Sequence, residues 1–156
     1  RFQILMRRCE YYTNVKKGMI NKLILGFLRI RYSRLSLRLG FSIPLNVFGP
    51  GLSIAHYGTI VVSAYAKVGA NCRIHPSSCI GASGGTNAPV IGDNVYIGPG
   101  AKIYGKIKLG NNIAVGANAA VGDSFEEDNI LIGGVPAKKI GSVDISKLIR
   151  HLNTDK

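Results

Sequence analysis

Aliphatic side chains recur at every sixth residue through the middle of the chain. An amphipathic α-helix repeats its apolar face every 3.6 residues and a strand every 2, so this interval fits neither element. A fixed interval held over many residues is typical of a repeat architecture. The series comprises Val62, Val68, Ile74 and Ile80, then, after a break, Ile91, Ile97, Ile103, Leu109, Val115 and Val121.

The six-residue interval predicts a coil with three short flat strands per turn, so that about eighteen residues complete one turn. One aliphatic on each strand then points inward and stacks on its counterpart in the next turn. Glycine often follows the aliphatic, as tight corners require, and the residue four positions on is mostly small or β-branched. The latter positions are Ala66, Cys72, Ser78, Val95, Ala101, Ile107, Ile113 and Ala119. We therefore predict an all-β fold built as a parallel β-helix.

Residues 1–43 follow a different pattern and are predicted to form basic amphipathic helices. Apolar residues recur there at helical spacing, whereas Arg31, Arg34 and Arg38 fall on other faces. The helices either pack on the domain or a neighbouring subunit, with solvated arginines, or make peripheral contact with anionic lipid headgroups. The apolar positions are Ile20, Leu23, Ile24, Phe27, Leu28, Leu35 and Leu39.

The sequence GASGGTNAPV, residues 81–90, interrupts the series and predicts a turn or a protruding loop. Loops on a rigid scaffold are frequent places for binding sites. After Val121 the chain leaves the coil, and SVDISKLIRHL predicts a short terminal helix with Ser142 as its N-cap. The predicted division of the chain is therefore 1–43, 44–141 and 142–156.

Positive charge is concentrated at one end of the chain. Residues 1–40 contain ten basic residues and one acidic residue, Glu10, and so hold +9 of the formal net charge of +12. A nucleic-acid binder would spread its charge along a groove-facing surface, so we expect no nucleic-acid partner. Three cysteines without a CxxC pair favour neither a disulfide framework nor a zinc site. We expect a cytoplasmic protein, with the inner face of the membrane as a second location, because neither a signal peptide nor a membrane-spanning apolar run is visible.

Four segments together are similar to the hexapeptide-repeat acyltransferase family, and specifically to serine acetyltransferase-like chains and O-acetyltransferases of capsule and exopolysaccharide pathways. The resemblance covers about residues 44 to 141. It implies a left-handed parallel β-helix, acetyl-CoA as co-substrate, no metal, and a homotrimer with active sites between neighbouring subunits. The segments are GPGLSIAHYGTIVVSAYAKVG, IGPGAK, VGANAA and GGVPAKKI.

Acyl transfer to a hydroxyl requires a base that removes the hydroxyl proton, and the chain has three histidines. Counting back six residues from Val62 reaches His56, so the repeat predicts this histidine at a register where an aliphatic normally turns inward. By resemblance, His56 matches the catalytic histidine of serine acetyltransferases, although their preceding carboxylate is replaced by Ala55. The other interpretation of His56 is a surface or capping residue of an irregular first coil. His75 is a secondary catalytic candidate or a corner residue, and His151 is expected to be solvated in the terminal helix.

The resemblance also implies residues that bind the acyl donor. In the family, small residues flank the slot for the pantetheine arm of the donor, and two lysines lie near the donor's phosphates. The alternative is that the two lysines belong to an exposed tail and that the glycines are needed only at corners. Pro99 stands where the family has an alanine and offers no N–H. The implied donor-binding residues are Pro99, Ala101, Gly116, Ala117, Lys138 and Lys139.

The 81–90 loop would contribute Ser83 and Asn87 to acceptor binding. Serine acetyltransferases have an Arg-His pair in this loop, where this chain has Asn87 and Ala88. Because the loop offers no cation for an amino-acid carboxylate, we expect a sugar hydroxyl in capsule or exopolysaccharide biosynthesis to be the acceptor. The alternatives are a serine O-acetyltransferase of cysteine biosynthesis, and a trimeric β-helix scaffold without catalytic activity.

Overall fold

A computed structural model describes residues 1–149 and 152. His151 therefore lies outside the described residues. Two α-helices precede the strands: α1 (Phe2–Asn14) and α2 (Met19–Leu39). The strands are β1 (Phe41–Ser42), β2 (Ser53–Ile54), β3 (Ile60–Val62), β4 (Lys67–Val68), β5 (Arg73–Ile74), β6 (Ser78–Gly81), β7 (Val90–Ile91), β8 (Tyr96–Ile97), β9 (Lys102–Tyr104), β10 (Lys108–Leu109), β11 (Ala114–Val115), β12 (Ala120–Val121), β13 (Ile130–Gly133) and β14 (Lys138–Ser142).

The strands form three sheets that the chain visits in rotation. The strand orders are β1-β3-β6-β9-β12, β10-β7-β4 and β14-β13-β11-β8-β5-β2, with every pairing parallel except β13 with β14. Ile97 pairs with Val115, which is eighteen residues on. This register confirms the predicted turn length and the predicted parallel coil of three short strands.

The predicted aliphatic series lines the inside of the coil. All ten of its members are buried, and so are the eight small or β-branched positions that follow them. Ile74, Ile97 and Val115 stack directly, because neighbouring turns pair in register. Burial of each aliphatic side chain contributes roughly 1.5–3 kcal/mol, so this column is the main source of cohesion between turns.

Asparagine side chains hold one corner of the coil together. The Asn71 side chain donates to Asn94 (2.9 Å), which donates to Asn112 (2.9 Å), which donates to Asn129 (3.0 Å). All four residues have φ between 54° and 61°. This left-handed conformation is one that asparagine tolerates better than other non-glycine residues, so the ladder and the corner geometry select the same residue type.

Two helices pack on the open end of the coil. Phe2 of α1 stacks on Tyr32 at 5.1 Å between ring centroids and meets Phe41 edge-on at 5.0 Å. Arg7 donates to the carbonyl of Phe48 (2.8 Å), and Glu10 accepts the Asn46 backbone N–H (2.8 Å). The first helix is therefore anchored to the coil by both apolar and charged contacts.

The predicted apolar face of the second helix is only partly buried. Leu28 is buried, and Leu35 and Leu39 pack against the core. The four remaining predicted positions are exposed, because they lie on the side of α2 that faces away from the coil: Ile20, Leu23, Ile24 and Phe27. Within residues 1–149 and 152, neither helix is long and apolar enough to cross a membrane.

The C-terminal segment differs from the prediction. Ser142 is the last residue of β14 and not a helix N-cap. Asp144 caps a short 3-10 turn (Ile145–Lys147) by accepting the Ser146 N–H at 3.2 Å. The antiparallel pairing of β14 with β13 keeps Ser142 extended, which explains the difference. Near the N-terminal boundary, β1 lies within residues 1–43 and pairs with β3 of the coil. The predicted division of the chain at 43/44 and 141/142 stays a prediction.

Candidate active site

His56 lies at an exposed corner between β2 and β3. Ile54 pairs with Ile74 and Val62 with Ile80, so eight residues separate Ile54 from Val62 where six separate Ile74 from Ile80. The corner is thus two residues longer than the repeat. The prediction that His56 occupies the inward aliphatic register is wrong, because Ile54 holds that register and the two extra residues move His56 outward.

His75 and Arg73 flank the buried Ile74 in β5 and therefore project from the outer face of the sheet. The His75 ring lies 6.3 Å from the His56 ring and 5.0 Å from the Tyr96 ring, measured between centroids. Tyr96 is the register partner of Arg73 in the next turn. Four polar side chains from three turns thus meet on one patch.

Partial burial lowers the pKa of His75 below its ordinary value of 6.5, and the positive charges of Arg73 and His56 lower it further. Its Nε2 atom is buried and, among the described residues, has no hydrogen-bond partner. The Nε atom of Arg73 is likewise buried and has no hydrogen-bond partner among the described residues. Buried polar atoms are normally paired, so these two atoms leave the hydrogen-bonding capacity of the patch incompletely used.

A row of positions leads from this patch along the edge of the sheet. Register places Ala55, His75, Gly98, Gly116 and Gly133 at one position in successive turns, because each follows an aligned inward residue. The next position in each turn forms a second row. That row consists of His56, Pro76, Pro99, Ala117 and Gly134.

The second row is largely exposed. Pro99 and Ala117 are exposed, and the Pro99 carbonyl accepts the Asn118 N–H at 2.9 Å. Gly116 is half-buried, and a Cβ atom on Gly98 would lie 2.8 Å from the Val115 carbonyl oxygen. Gly98 is therefore required by the close approach of successive turns, as the corner interpretation expects.

Ala101 does not belong to this surface. It is fully buried in the core, and its carbonyl accepts the Cys79 N–H at 2.9 Å. The side chain therefore points into the coil and offers no contact to a donor molecule, contrary to the sequence-based expectation. Its small size is explained by packing inside the turn.

Lys138 and Lys139 lie in the exposed strand β14, at the far end of the two rows. Lys138 is the register partner of Gly133. Lys139 forms an ion pair with Glu127, at 2.7 and 2.8 Å to the two carboxylate oxygens. Because that carboxylate offsets the charge of Lys139, Lys138 is the less compensated of the two.

The loop between β6 and β7 protrudes, as predicted. The Ser83 N–H donates to the Asn87 carbonyl at 2.8 Å, and both residues are exposed. The loop leaves the sheet at the end of β6, whereas His75 precedes the start of the same strand. From the rise per residue of a strand, the start of the loop and the corner at His75 are on the order of 15 Å apart. Within one chain, Ser83 and Asn87 therefore do not reach the histidine patch.

Sequence reasoning missed Arg73 and Tyr96 as members of the patch. The signal was present for Arg73, because alternation about the inward Ile74 turns residues 73 and 75 to the same outer face. Tyr96 required knowledge of the register between turns. Among residues 1–149 and 152 there is no group of three or more His, Cys, Asp or Glu arranged to hold a metal ion.

Comparison with known families matches residues 88–123 to bacterial transferase hexapeptide (six repeats). The serine acetyltransferase of Mycobacterium tuberculosis is 37% identical over 101 residues, which are 63% of this chain and 44% of that protein. The serine acetyltransferase of Staphylococcus aureus is 35% identical over 108 residues, 66% of this chain and 50% of that protein. The chain thus spans about half the length of the curated relatives it matches.

Solved structures agree with this similarity. The serine acetyltransferase of Brucella abortus in complex with coenzyme A superposes with a TM-score of 0.67 at 28% identity, over 91% of this chain and 55% of that one. The chain therefore contains hexapeptide repeats of the bacterial transferase type and has serine acetyltransferase homologues. These neighbours suggest that the coil is left-handed.

The predicted acceptor class is wrong on these comparisons. The matched relatives are named serine acetyltransferase, which favours the serine alternative over O-acetylation of a capsular or exopolysaccharide sugar. The sugar expectation rested on the missing cation of the 81–90 loop. It overlooked Arg73, which lies beside His75 on the outer face of the same strand, outside that loop.

Proposed function

We propose that the chain is an O-acetyltransferase that moves the acetyl group of acetyl-CoA to the hydroxyl of L-serine, with His56 as general base. The observation that supports this most directly is the pairing of His56 with His75 at the head of an exposed row of small residues. Relatives named serine acetyltransferase and a neighbour solved with coenzyme A supply the reaction class.

In the proposed reaction the serine hydroxyl oxygen attacks the thioester carbonyl carbon directly. A neutral ring nitrogen of His56 takes the hydroxyl proton as the new C–O bond forms. The C–S bond then breaks, and the proton passes to the departing sulfur to give the free thiol of CoA. A positioned base of this kind typically contributes 10²–10⁴ in rate.

His75 acts in this proposal as a positioning residue. Ala55 leaves His56 without a preceding carboxylate, and His75 is the polar ring beside it at 6.3 Å. Burial and the positive charge of Arg73 lower the pKa of His75, which favours the neutral form of its ring beside the proposed base. A neutral neighbour limits the charge repulsion that a second imidazolium would create.

Arg73 provides the cation for the serine carboxylate. Its guanidinium is close enough to lower the pKa of His75, and its buried Nε lacks a partner among the described residues. Arginine recognises carboxylates through paired N–H donors. A carboxylate held there would bring the serine hydroxyl oxygen, which is three bonds from the carboxylate carbon, to the two histidines.

The acyl donor is proposed to run along the row from His56 past Pro99 and Ala117. Adjacent turns are separated by roughly 4.8 Å, so the four steps from His56 to Gly134 span about 19 Å. Gly116 keeps the neighbouring row free of a side chain, and Lys138 provides a cation at its far end. Acetyl-CoA is long enough to extend along such a row with its thioester at the histidines.

The assembly is proposed to be a homotrimer of left-handed coils. One chain separates the 82–89 loop from His75 by the width of β6. A neighbouring subunit that placed this loop against the histidine patch would bring Ser83 and Asn87 to the acceptor. The site would then be complete only between two chains.

The experiment is product identification with purified protein, acetyl-CoA and L-serine, using mass spectrometry for O-acetylserine and a thiol reagent for released CoA. We expect both products in equal amounts and far less turnover with ethanolamine, which has the hydroxyl and amine but lacks the carboxylate. Acetyl-CoA binding without transfer to serine would overturn the acceptor assignment. Absence of acetyl-CoA binding would instead favour the scaffold alternative.

A further inference from the structure

Five arginines line one cleft between α1 and α2. The cleft has a volume of about 580 Å³, and its arginines are Arg1, Arg8, Arg31, Arg34 and Arg38. The ion pairs found within residues 1–149 and 152 include none of them. Like charges gathered without a carboxylate repel one another, so this cleft favours a polyanionic partner.

Exposed apolar side chains continue from the arginines along the same helix. Met19, Ile20, Leu23 and Phe27 are 80%, 74%, 71% and 61% exposed, and Ile30 is 54% exposed. Single exposed aliphatic residues are common on protein surfaces, but a continuous apolar patch indicates an interaction site. These five residues occupy three turns of α2, about 17 Å of helix.

The expectation that the arginines fall on other faces than the apolar residues is wrong for the exposed half of α2, because its arginines and its exposed apolar residues share one face. Leu23 and Arg34 are eleven residues apart, as are Phe27 and Arg38. Eleven residues correspond to three turns plus about 20°, so each pair projects in nearly the same direction. The opposite face carries Leu28 and packs on the core. The exposed face is therefore apolar in its first half and cationic in its second.

We infer that this face, with the arginine cleft, is a docking surface for a membrane that contains anionic phospholipids. Lipid phosphates would occupy the cleft, and the apolar half of α2 would enter the boundary between headgroups and acyl chains. A helix that lies in this boundary needs no membrane-spanning length. The inference is independent of the proposed acetyl transfer.

Charge and chemistry disfavour two other occupants. A second copy of the same face would bring together two segments of +9 net charge. A nucleic acid would match the arginines but would leave three turns of Met, Ile, Leu and Phe against a hydrated polyanion. An anionic bilayer matches both halves of the face.

The test is vesicle co-sedimentation of the full chain, with phosphatidylglycerol mixed into phosphatidylcholine and with phosphatidylcholine alone. We expect binding to the anionic vesicles that weakens with added salt, and much weaker binding to the neutral ones. Replacing three arginines (R31Q, R34Q, R38Q) should weaken binding roughly a hundredfold, since each basic residue near such a surface contributes about fivefold. Replacing two apolar residues (L23S, F27S) should also release the protein.

The matched control removes three exposed lysines from the coil, Lys67→Gln, Lys106→Gln and Lys108→Gln. It lowers net charge equally and should retain binding, with circular dichroism confirming the fold of every variant. If the arginine and lysine variants lost vesicle binding equally, the inference would be overturned. Equal binding of the wild type to neutral and anionic vesicles would also overturn it. Loss of self-association in the L23S, F27S variant without vesicle binding would assign the face to a second copy. Binding to duplex DNA but not to vesicles would assign it to nucleic acid.

Discussion

The ring of His75 lies 6.3 Å from the ring of His56, although the two residues come from different turns of the coil. We predict that His75→Leu lowers kcat for L-serine acetylation about fivefold, because a lost polar contact is worth about 1 kcal/mol. The KM for acetyl-CoA should not change. Steady-state kinetics with each substrate varied in turn measures both effects.

His75→Gln is the matched variant, since it keeps a polar group that can donate and accept. It should recover most of the lost kcat. Equal kcat losses in the two variants, or a rise in the KM for acetyl-CoA, would contradict a positioning role for His75.

Arg73 provides the second prediction, which concerns the acceptor. Arg73→Gln should raise the KM for L-serine by roughly ten- to a hundredfold, because hydrogen bonds to charged groups contribute about 1.5–3 kcal/mol. Lys108→Gln removes a charge far from the patch and should leave the KM for L-serine unchanged. A comparable rise in the KM for acetyl-CoA would indicate that Arg73 supports the donor instead of the serine carboxylate.

Acid should weaken the fold through His75. Its pKa is lowered in the folded protein, chiefly by burial, so the unfolded chain binds the proton more readily. Stability is therefore unaffected above the ordinary pKa of 6.5 and falls as the pH drops from there to the folded-state value. Urea titrations at a series of pH values should show that the unfolding free energy falls more steeply with decreasing pH in the wild type than in His75→Gln. Parallel pH dependences would refute the assignment.

The Arg73→Gln variant extends this test. Removing one positive neighbour should raise the pKa of His75, since Arg73 is the second cause of its depression. NMR titration of the His75 ring reports this directly. An unchanged pKa would mean that Arg73 and His75 do not share one patch in solution.

The asparagine ladder is predicted to stabilise the corner in two separable ways. Asn94→Ala removes a bond to each neighbour and places alanine at φ 56°, so we expect a loss of about 2–4 kcal/mol in unfolding free energy. Asn94→Gly loses the same bonds but tolerates the φ angle. Glycine should therefore be the less destabilising replacement in urea titrations, and the reverse order would contradict the ladder account.

The coil was predictable because a single rule governs it. One inward position on each strand holds an aliphatic, and the short strands fix the interval between these positions, so the stretch from Val62 to Val121 shows the period in sequence alone. The histidine patch was less accessible. His56 was identified from resemblance, but its register was wrong, since a two-residue insertion after Ile54 is invisible to counting.

Arg73 shows the limit of sequence reasoning for this site. Its neighbour His75 was selected, and the strand period places both on one face, yet the meeting with Tyr96 depends on pairing across twenty-three residues. The same limitation applies to α2. Helical spacing identified its apolar residues, but only the packing of Leu28 against the core decides which of them are buried.

The ratio of kcat/KM for L-serine between the wild type and His56→Ala measures the contribution of His56 as the general base. His56 is exposed, so the substitution should leave folding intact, which the unfolding free energy checks. We predict a loss of at least about a hundredfold, the lower range for a positioned general base, with acetyl-CoA binding unchanged. A loss of less than about tenfold in a folded variant that still binds acetyl-CoA would contradict it.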